Sequence, residues 1–595
     1  MQVSAENDNY HSEVLTQTYW IPSKDRNQYI QYRLPGIVVS QAGTVIIYGE
    51  ARTDQNNGSY SPSWQSDQNQ MDIYLRRSVD GGRSFEPAIY IGRGAEYAQS
   101  GYDETINNPV MTVGNDGRLH LMFSCGVGAA GLWYCYSEDD GETWTNPQNI
   151  KDRVVGMDAF RYIVCGPGHG VCLDNGRLLM TAWVSQDFSS YPVYTIYSDD
   201  NGMTWKLGDR VSSNADESTL TKLSGGGVLI SSRQHTHPYT SSEATQGENS
   251  AYRMMSHSQS GIGDWSASQY DRTLPDPSCC AGMCYVDLEG LPYAILHVNC
   301  ASKSERTNVT VRCSFDDGLT WEKSLELDAD AGGYSDIAVD KNGKVYVVYE
   351  RNGGQEVMLS TFSFYDVFCA DDPTLTNPTA SFDSIQSIIA KPTDVSVSTN
   401  DTGNPEICVE DTWGPNITLN FKKITRRLNV SERPCMAIRI KATVASDSET
   451  IHCGVLIRSG RVNESDSDTY LPIELRNDGA FQTVIVDLSQ NESVRGNLYS
   501  IELQLNSALE SGTVGDLYEI EKIGFFENAD EAYQAYGGKP IEQSDDSTGT
   551  APSSAQPSNQ SGCGSALIPF PMLIVLIFGC VVTIFRKKPL YHAHK

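Results

Sequence analysis

Eight residues, Ser198-Asp199-Asp200-Asn201-Gly202-Met203-Thr204-Trp205, constrain this chain most, because their pattern S-x-D-x-G-x-T-W keeps returning. Ser137 to Trp144 and Ser314 to Trp321 match it fully, and Ser78 to Phe85 matches with Ser and Phe in the last two places. The first three copies start 59 and 61 residues apart; a worn copy, Ser258 to Trp265, falls 60 after the third and 56 before the last. A fixed period of this length signals repeated supersecondary units. Each copy follows a strand-like run, such as Met71 to Arg77 or Asn308 to Cys313. Asp bonds back to the N–H groups of its own turn, Gly supplies the positive φ, and Trp re-enters a strand with a large ring to bury. Roughly sixty residues hold four short strands, the size of one propeller blade. A calcium loop is the competing reading of Asp-rich turns. The copies lack a terminal Glu and end in Thr-Trp, which favours the strand turn.

At 595 residues the chain holds more than one domain. Its 44 Lys+Arg against 75 Asp+Glu leave a net charge of −31, which disfavours nucleic acid and anionic membrane surfaces as partners. An anionic small substrate would need a local cluster of Arg working against that field. The 15 Cys do not have zinc spacings. Eight N-x-S/T sequons, five of them between residues 400 and 493, give weak support to a secretory route.

Taken in order, the chain opens on a polar lead-in that ends in an edge strand. Short apolar runs then alternate with Gly/Asp/Asn turns to about residue 365, an all-β pattern. Beyond 370 the Asp motif stops. Alternation there is that of a β-sandwich: Ile438, Ile440 and Ala442 against Arg439 and Lys441; Val484, Val486 and Leu488 against Ile485 and Asp487; Ile501, Leu503 and Leu505 against Glu502 and Gln504. Residues 536–565 read as a disordered stalk. Residues 566–585 are uncharged and long enough for a membrane helix, with Arg586-Lys587-Lys588 behind them. The expected location is therefore the plasma membrane, with the bulk of the chain outside; a lumenal membrane is the other option, and a removable lipid-anchor signal fits the basic flank less well. The first residues, from Met1 to Asp8, are polar and show no signal peptide.

Tyr32-Arg33-Leu34-Pro35-Gly36 precedes a strand, Thr44 to Glu50, and then Ala51-Arg52. Alone, an Arg in a strand is most often a surface residue. Together with Asp motifs at this spacing, the Arg-Leu-Pro and the following Arg strongly resemble the sialidases (neuraminidases), glycoside hydrolases of family 33 type, over about residues 25–360. The family's motif has Ile where this chain has Leu34, a change that keeps volume and apolarity. The resemblance implies a six-bladed β-propeller over residues 1–368; it does not extend to the sandwich over 369–535, whose strand pattern resembles jelly-roll modules and which is a candidate carbohydrate-binding module or a spacer. It implies an exo-α-sialidase that releases terminal sialic acids from glycoproteins, glycolipids or oligosaccharides with retention, needing no metal or cofactor. Sialylated glycans are then the partners, and the membrane is met only through the C-terminal helix.

The residue roles follow from the same resemblance. Arg33, Arg233 and Arg306 grip the sugar's carboxylate, for which bidentate, permanently charged guanidinium suits. Arg312 competes with Arg306 but leads away next to the Asp motif, and Arg52 lines the pocket near the acid. Tyr334, in Gly332-Gly333-Tyr334-Ser335-Asp336, is the nucleophile, since a carboxylate would be repelled by the substrate's own. Glu217, in Asp216-Glu217-Ser218, is the base beside it, and Glu350 braces the first arginine. Asp67 is the acid, then the base; Asp54 is the alternative, and Asp72 is structural. Asn107-Asn108-Pro109 and Gly166-Pro167-Gly168-His169-Gly170 are turn chemistry; the second also resembles a family loop near the glycerol side chain, with His169 a turn residue. Two other functions stay open. A trans-sialidase would need an acceptor site, for which Tyr60 or Trp64 would serve, and a non-catalytic sialoside-binding adhesin would need only the arginines.

Overall fold

A computed structural model describes residues 15–20 and, from 29 to 538, all but 57–58, 61–66, 68, 103, 127–130, 158–159, 188, 214, 235–250, 378, 412–413, 460–468, 491–493, 495 and 506–512. The chain is mostly β, consistent with a β-propeller. Six antiparallel sheets follow one another. Sheet I is Gln31–Val39, Val45–Arg52, Met71–Ser78 and Ile89–Arg93. Sheet II is Ile106–Val113, Leu119–Cys125, Gly131–Ser137 and Gln148–Asn149, with Gly168–His169 added parallel to its first strand. In sheet III, Tyr162–Cys165 and Val171–Cys172 both pair with Leu178–Ser185, followed by Val193–Ser198 and Lys206–Ser212. Sheet IV is Ala215–Lys222, Val228–Gln234, Tyr252–Ser258 and Gln269–Pro275; sheet V is Gly282–Val286, Ala294–Cys300, Thr307–Ser314 and Lys323–Ala331.

Sheet VI takes its first three strands, Ser335–Val339, Lys344–Arg351 and Glu356–Ser363, from the end of this run and its outermost, Leu15–Trp20, from the start. The leading strands of successive sheets contact one another, and that of sheet VI returns to that of sheet I. Each Asp motif caps the third strand of its sheet, from sheet I to the worn copy in sheet IV and the last in sheet V. In the third copy Ser198 Oγ and Thr204 Oγ1 donate to Asp200, at 2.8 and 2.6 Å, and Gly202 N donates to Ser198 Oγ at 2.8 Å. Gly202 sits at φ +82°, where a Cβ would also collide with the Tyr134 hydroxyl. The Trp205 ring is buried and meets Tyr134 edge-on.

Beyond residue 380 two sheets enclose one core. The first contains Val395–Thr399, Pro405–Val409, Leu517–Phe526, Cys435–Thr443 and Gln482–Asp487; the second, Ile389–Thr393, Asn416–Asn420, Leu498–Gln504, Thr450–Ser459 and Thr469–Arg476. Ile438, Ile440 and Ala442 of one meet Ile501, Leu503 and Leu505 of the other in that core, while Arg439 and Lys441 alternate away from it.

The expectation of a single-pass plasma-membrane protein is corrected. Among the described residues no helix is long and apolar enough to cross a membrane. Ala529–Tyr536, with 8 residues, is the longest α-helix among them. At 1.5 Å per residue it reaches about 12 Å, against about 30 Å of hydrocarbon. Of the expected stalk at 536–565, Tyr536 instead ends this helix, and residues 539–565, like the apolar stretch 566–585, lie outside the described residues.

Candidate active site

Antiparallel alternation decides which residues can meet. In every sheet the first strand begins, the second ends and the third begins at one rim. Arg33 lies near the start of a first strand, Glu217 likewise, and Tyr334 just before one. Arg52, Arg233 and Glu350 lie near the ends of second strands, and Arg306 just before a third. All therefore share the rim opposite the Asp motifs.

A bulge aims Arg33. Pairing of Gln31–Val39 with Val45–Arg52 slips between Arg33 and Gly36, and Leu34 sits at φ 52°. That conformation is strained for a branched residue before proline. Glu350 stabilises it: its Oε1 accepts from Leu34 N at 2.8 Å and from Arg33 Nε at 2.7 Å. Its other oxygen accepts from Tyr334 N at 3.2 Å. Gly333 makes room for this carboxylate, since a Cβ there would meet Glu350 Oε2 at 2.5 Å. The next sheet repeats the device. Asn108, also before a proline and at φ 53°, donates its N–H to Glu50 Oε1 at 2.8 Å, while Glu50 holds Arg52 at 2.7 Å. The turn reading of Asn108-Pro109 thus turns out to be a bulge in a leading strand.

Tyr334 sits at the centre, buried. The guanidiniums of Arg33 and Arg306 lie 5.4 and 5.2 Å from its ring centroid, and Arg233 Nη1 donates to its hydroxyl at 2.9 Å. The same nitrogen is 2.6 Å from Glu217 Oε2, so one guanidinium nitrogen brings the Glu217 carboxylate and the Tyr334 hydroxyl side by side. Burial pushes the Glu217 carboxyl up; Arg233 and the Tyr334 bond oppose it, Asp216 adds to it, and the group stays above the ordinary carboxylate range. Burial also pushes the Tyr334 phenol well up, against the pull of Arg233 and Arg306. For Arg33, burial is outweighed by Glu350, which keeps the guanidinium charged.

Asp67, exposed, bonds Arg52 Nη1 at 2.6 Å, and Arg52 is close enough to Arg33 for their charges to repel. Asp54 lies two residues beyond Arg52, after its strand. Asp72 is buried and accepts from Tyr29 Oη and Gly94 N, in keeping with a structural residue. Arg312 is placed against Asn299 Oδ1 at 3.2 Å. Tyr60 pairs through its backbone with Gln55, and Trp64 lies outside the described residues.

Sequence reasoning quoted Asp216 without a role. The structure makes it the fork that holds Arg233, at 2.7 and 2.5 Å. Its position directly before Glu217 was the available signal. Asp336 was passed over too: it accepts from Ile37 N at 3.0 Å and bonds His169 Nδ1 at 2.9 Å. His169 thereby lines a cavity of about 370 Å³, with Gln41, Asn115 and Asp287, at the mouth opposite the arginines.

Residues 63–347 match the family model described as BNR repeat-like domain. Its relatives are sialidases. The chain is 26% identical over 357 residues to the sialidase of Micromonospora viridifaciens, covering 55% of this chain and 51% of that protein. It is 23% identical over 355 residues to the sialidase of Bacteroides fragilis (strain YCH46), covering 54% and 60%. Sialidase-3 of Rattus norvegicus is 30% identical over 209 residues, 30% of this chain and 46% of that one. The chain spans about half the length of the curated relatives it matches. Among solved structures, the Hadza microbial sialidase Hz136 aligns with TM-score 0.50 and 22% identity over 57% of this chain and 67% of that chain, a likeness of fold.

Proposed function

We propose that this chain is an exo-α-sialidase of the family-33 type that releases terminal sialic acid with retention, and that its six sheets are the blades of a six-bladed propeller spanning residues 1–368, with 369–535 a separate sandwich. The observation that carries the reading is the convergence of three guanidiniums on Tyr334, at 5.4 Å, 5.2 Å and 2.9 Å, with Glu217 beside its hydroxyl. Such a cluster binds a carboxylate at the carbon the phenol attacks, and a neutral sugar gains nothing from it.

In this scheme Arg33, Arg233 and Arg306 hold the substrate's carboxylate and Arg52 lines the pocket. Tyr334 Oη attacks the anomeric carbon as its proton passes to Glu217, while Asp67 protonates the departing glycosidic oxygen. Asp67 then takes a proton from the water that attacks the same carbon; Tyr334 leaves and recovers its proton from Glu217. Two displacements return the original configuration. Asp67 is the acid favoured over Asp54, because its ion pair with Arg52 ties it to the arginine cluster.

The test is turnover of a fluorogenic α-sialoside by the full chain. Tyr334→Phe and Glu217→Gln should each lower kcat/KM by about 10²–10⁴. Glu217 must be ionised to act, so activity should fall as pH drops through a value above the ordinary Glu pKa of ~4.3. Well-folded protein with no turnover at any pH would overturn the proposal; sialyllactose formed on adding lactose would redirect it to transfer.

A further inference from the structure

Three arginines of the site have carboxylate partners: Arg33 with Glu350, Arg52 with Glu50 and Asp67, Arg233 with Asp216 and Glu217. Among the described residues Arg306 has none. Its Nε is buried without a hydrogen-bond partner there, and its side-chain bond runs from Nη2 to the Ser278 carbonyl, at 3.0 Å. The aim of this guanidinium therefore depends on where the backbone of residue 278 is held. Residues 276–281 join the last strand of sheet IV to the first of sheet V. Within them Ser278 sits at φ 58°, a conformation that a serine keeps only when its neighbours fix it.

Arg253, on the third strand of sheet IV, does the fixing and has no exposed surface. Its Nη1 donates to the Cys279 carbonyl at 2.8 Å and to Asp276 Oδ2 at 3.3 Å. Asp276 is buried as well; its Oδ1 accepts from Cys279 N at 3.2 Å, and its own N–H donates to the Ala251 carbonyl at 2.9 Å. The loop is thus pinned on both sides of Ser278. The rest of the Arg253 fork faces the other way. Nε donates to the Ser231 hydroxyl at 3.0 Å and Nη2 to the Ser231 carbonyl at 2.8 Å, two residues before Arg233 on the same strand. One guanidinium therefore ties the strand that carries Arg233 to the loop that holds Arg306. A buried ion pair is costly, and apolar residues of similar volume often serve stability as well. An apolar pair cannot grip two carbonyls and a hydroxyl, which a planar fork of fixed geometry does.

We propose that Arg253, paired with Asp276, is a positioning residue that sets the spacing of Arg233 and Arg306, and with it the strength of the grip on the substrate carboxylate. The proposal rests on the sialidase reading. Fully buried, Arg253 does not touch the substrate; it acts through Ser231 on one side and the Ser278 carbonyl on the other. Its loss should therefore be felt by a ligand's carboxylate and not by the remainder of the sugar.

The experiment compares, on the full chain, sialoside kinetics with calorimetric binding of two probes, 2,3-unsaturated sialic acid and its C1 carboxamide, which lacks the charge. Arg253→Lys keeps a cation beside Asp276 but lacks the fork. It should weaken the carboxylate probe about tenfold and the carboxamide less than about twofold, with KM raised in step and kcat within about threefold. Arg253→Met combined with Asp276→Asn leaves no unpaired charge buried and should show the same selective loss. Equal weakening of both probes would mean a general loosening of the site, and no weakening of either would mean that Arg306 is held without Arg253; each overturns the proposal. So does unfolding of both variants, which would make the pair a requirement of stability alone. A folded parent chain that neither turns over the sialoside nor binds the carboxylate probe overturns the sialidase reading itself. The two failures stay distinct, because the first is read against a parent that binds.

Discussion

The Asp motifs that start at Ser198 and Ser314 share pattern and internal geometry but not surroundings. In each, Ser Oγ donates to the Asp at 2.8 Å, the Gly N–H to that Ser at 2.8 Å, and the Thr N–H to the Asp at 2.8 Å. At Ser198 to Trp205 the aspartate is exposed and the indole donates to its own turn, Trp205 Nε1 to Gly202 O at 3.1 Å. At Ser314 to Trp321 the turn is covered. Lys422 reaches Asp316 Oδ2 at 2.7 Å, Tyr499 donates to the Phe315 carbonyl, Arg426 pairs with Glu322, and Ser224 bonds Asp317 at 2.7 Å. Asp316 is consequently 2% exposed. Three of these partners come from the two-sheet region beyond residue 380, so the last motif is where that region packs against sheet V. A turn that needs nothing beyond its own eight residues is free to be used again as a surface.

The widest gap between the two turns should come from removing the aspartate. Asp316→Ala deletes the turn's internal acceptor and strands Lys422 at the interface, a loss of about 3 kcal/mol. Asp200→Ala breaks the same internal bonds in contact with water, about 1 kcal/mol. Denaturant unfolding of the two variants reads the difference directly, and equal losses would mean that the cover adds nothing. Lys422→Met should be milder, about 1–2 kcal/mol, because Asp316 keeps its bonds to Ser314 and Thr320. Hydrogen exchange should then quicken at residues 314–321 and stay unchanged at 198–205. Tyr499→Phe, which leaves the Phe315 carbonyl without its hydroxyl donor, should cost about 1 kcal/mol.

What the sequence made legible was whatever a short stretch decides for itself. The period of the Asp motif marks the sheets, and two-residue alternation marks Ile438 to Ala442 as a sandwich strand. The candidate residues Arg33, Glu217, Arg233, Arg306, Tyr334 and Glu350 stand in motifs with local signatures, and the structure brings them to one rim. Partners far along the chain were not legible. Leu15–Trp20 carries no mark that it completes the sheet of Glu356–Ser363. The positive φ of Leu34 runs against the local preference of a residue before proline, so only the Glu350 contact explains it. The apolar run 566–585 was read from length and charge alone, and the described helices supply no membrane span.

The smallest expected effect is an acid sensitivity that belongs to the covered turn. Burial pushes the Asp316 carboxyl up, but Lys422 and Thr320 outweigh it and hold it below the ordinary value. A carboxyl depressed in the folded state stabilises the fold fully above its unfolded pKa of ~3.9 and loses that contribution as pH falls through the folded value. Between pH 5 and pH 4 the change should stay under about 1 kcal/mol, steepening only below that range. Lys422→Met takes away the largest lowering influence, so the variant should lose less stability than the parent on going from pH 5 to pH 3. Thermal melts of both proteins across that range decide the matter. Parallel curves would show that the Thr320 bonds alone depress Asp316, and the motif at Ser314 would then titrate as the one at Ser198 does despite its cover.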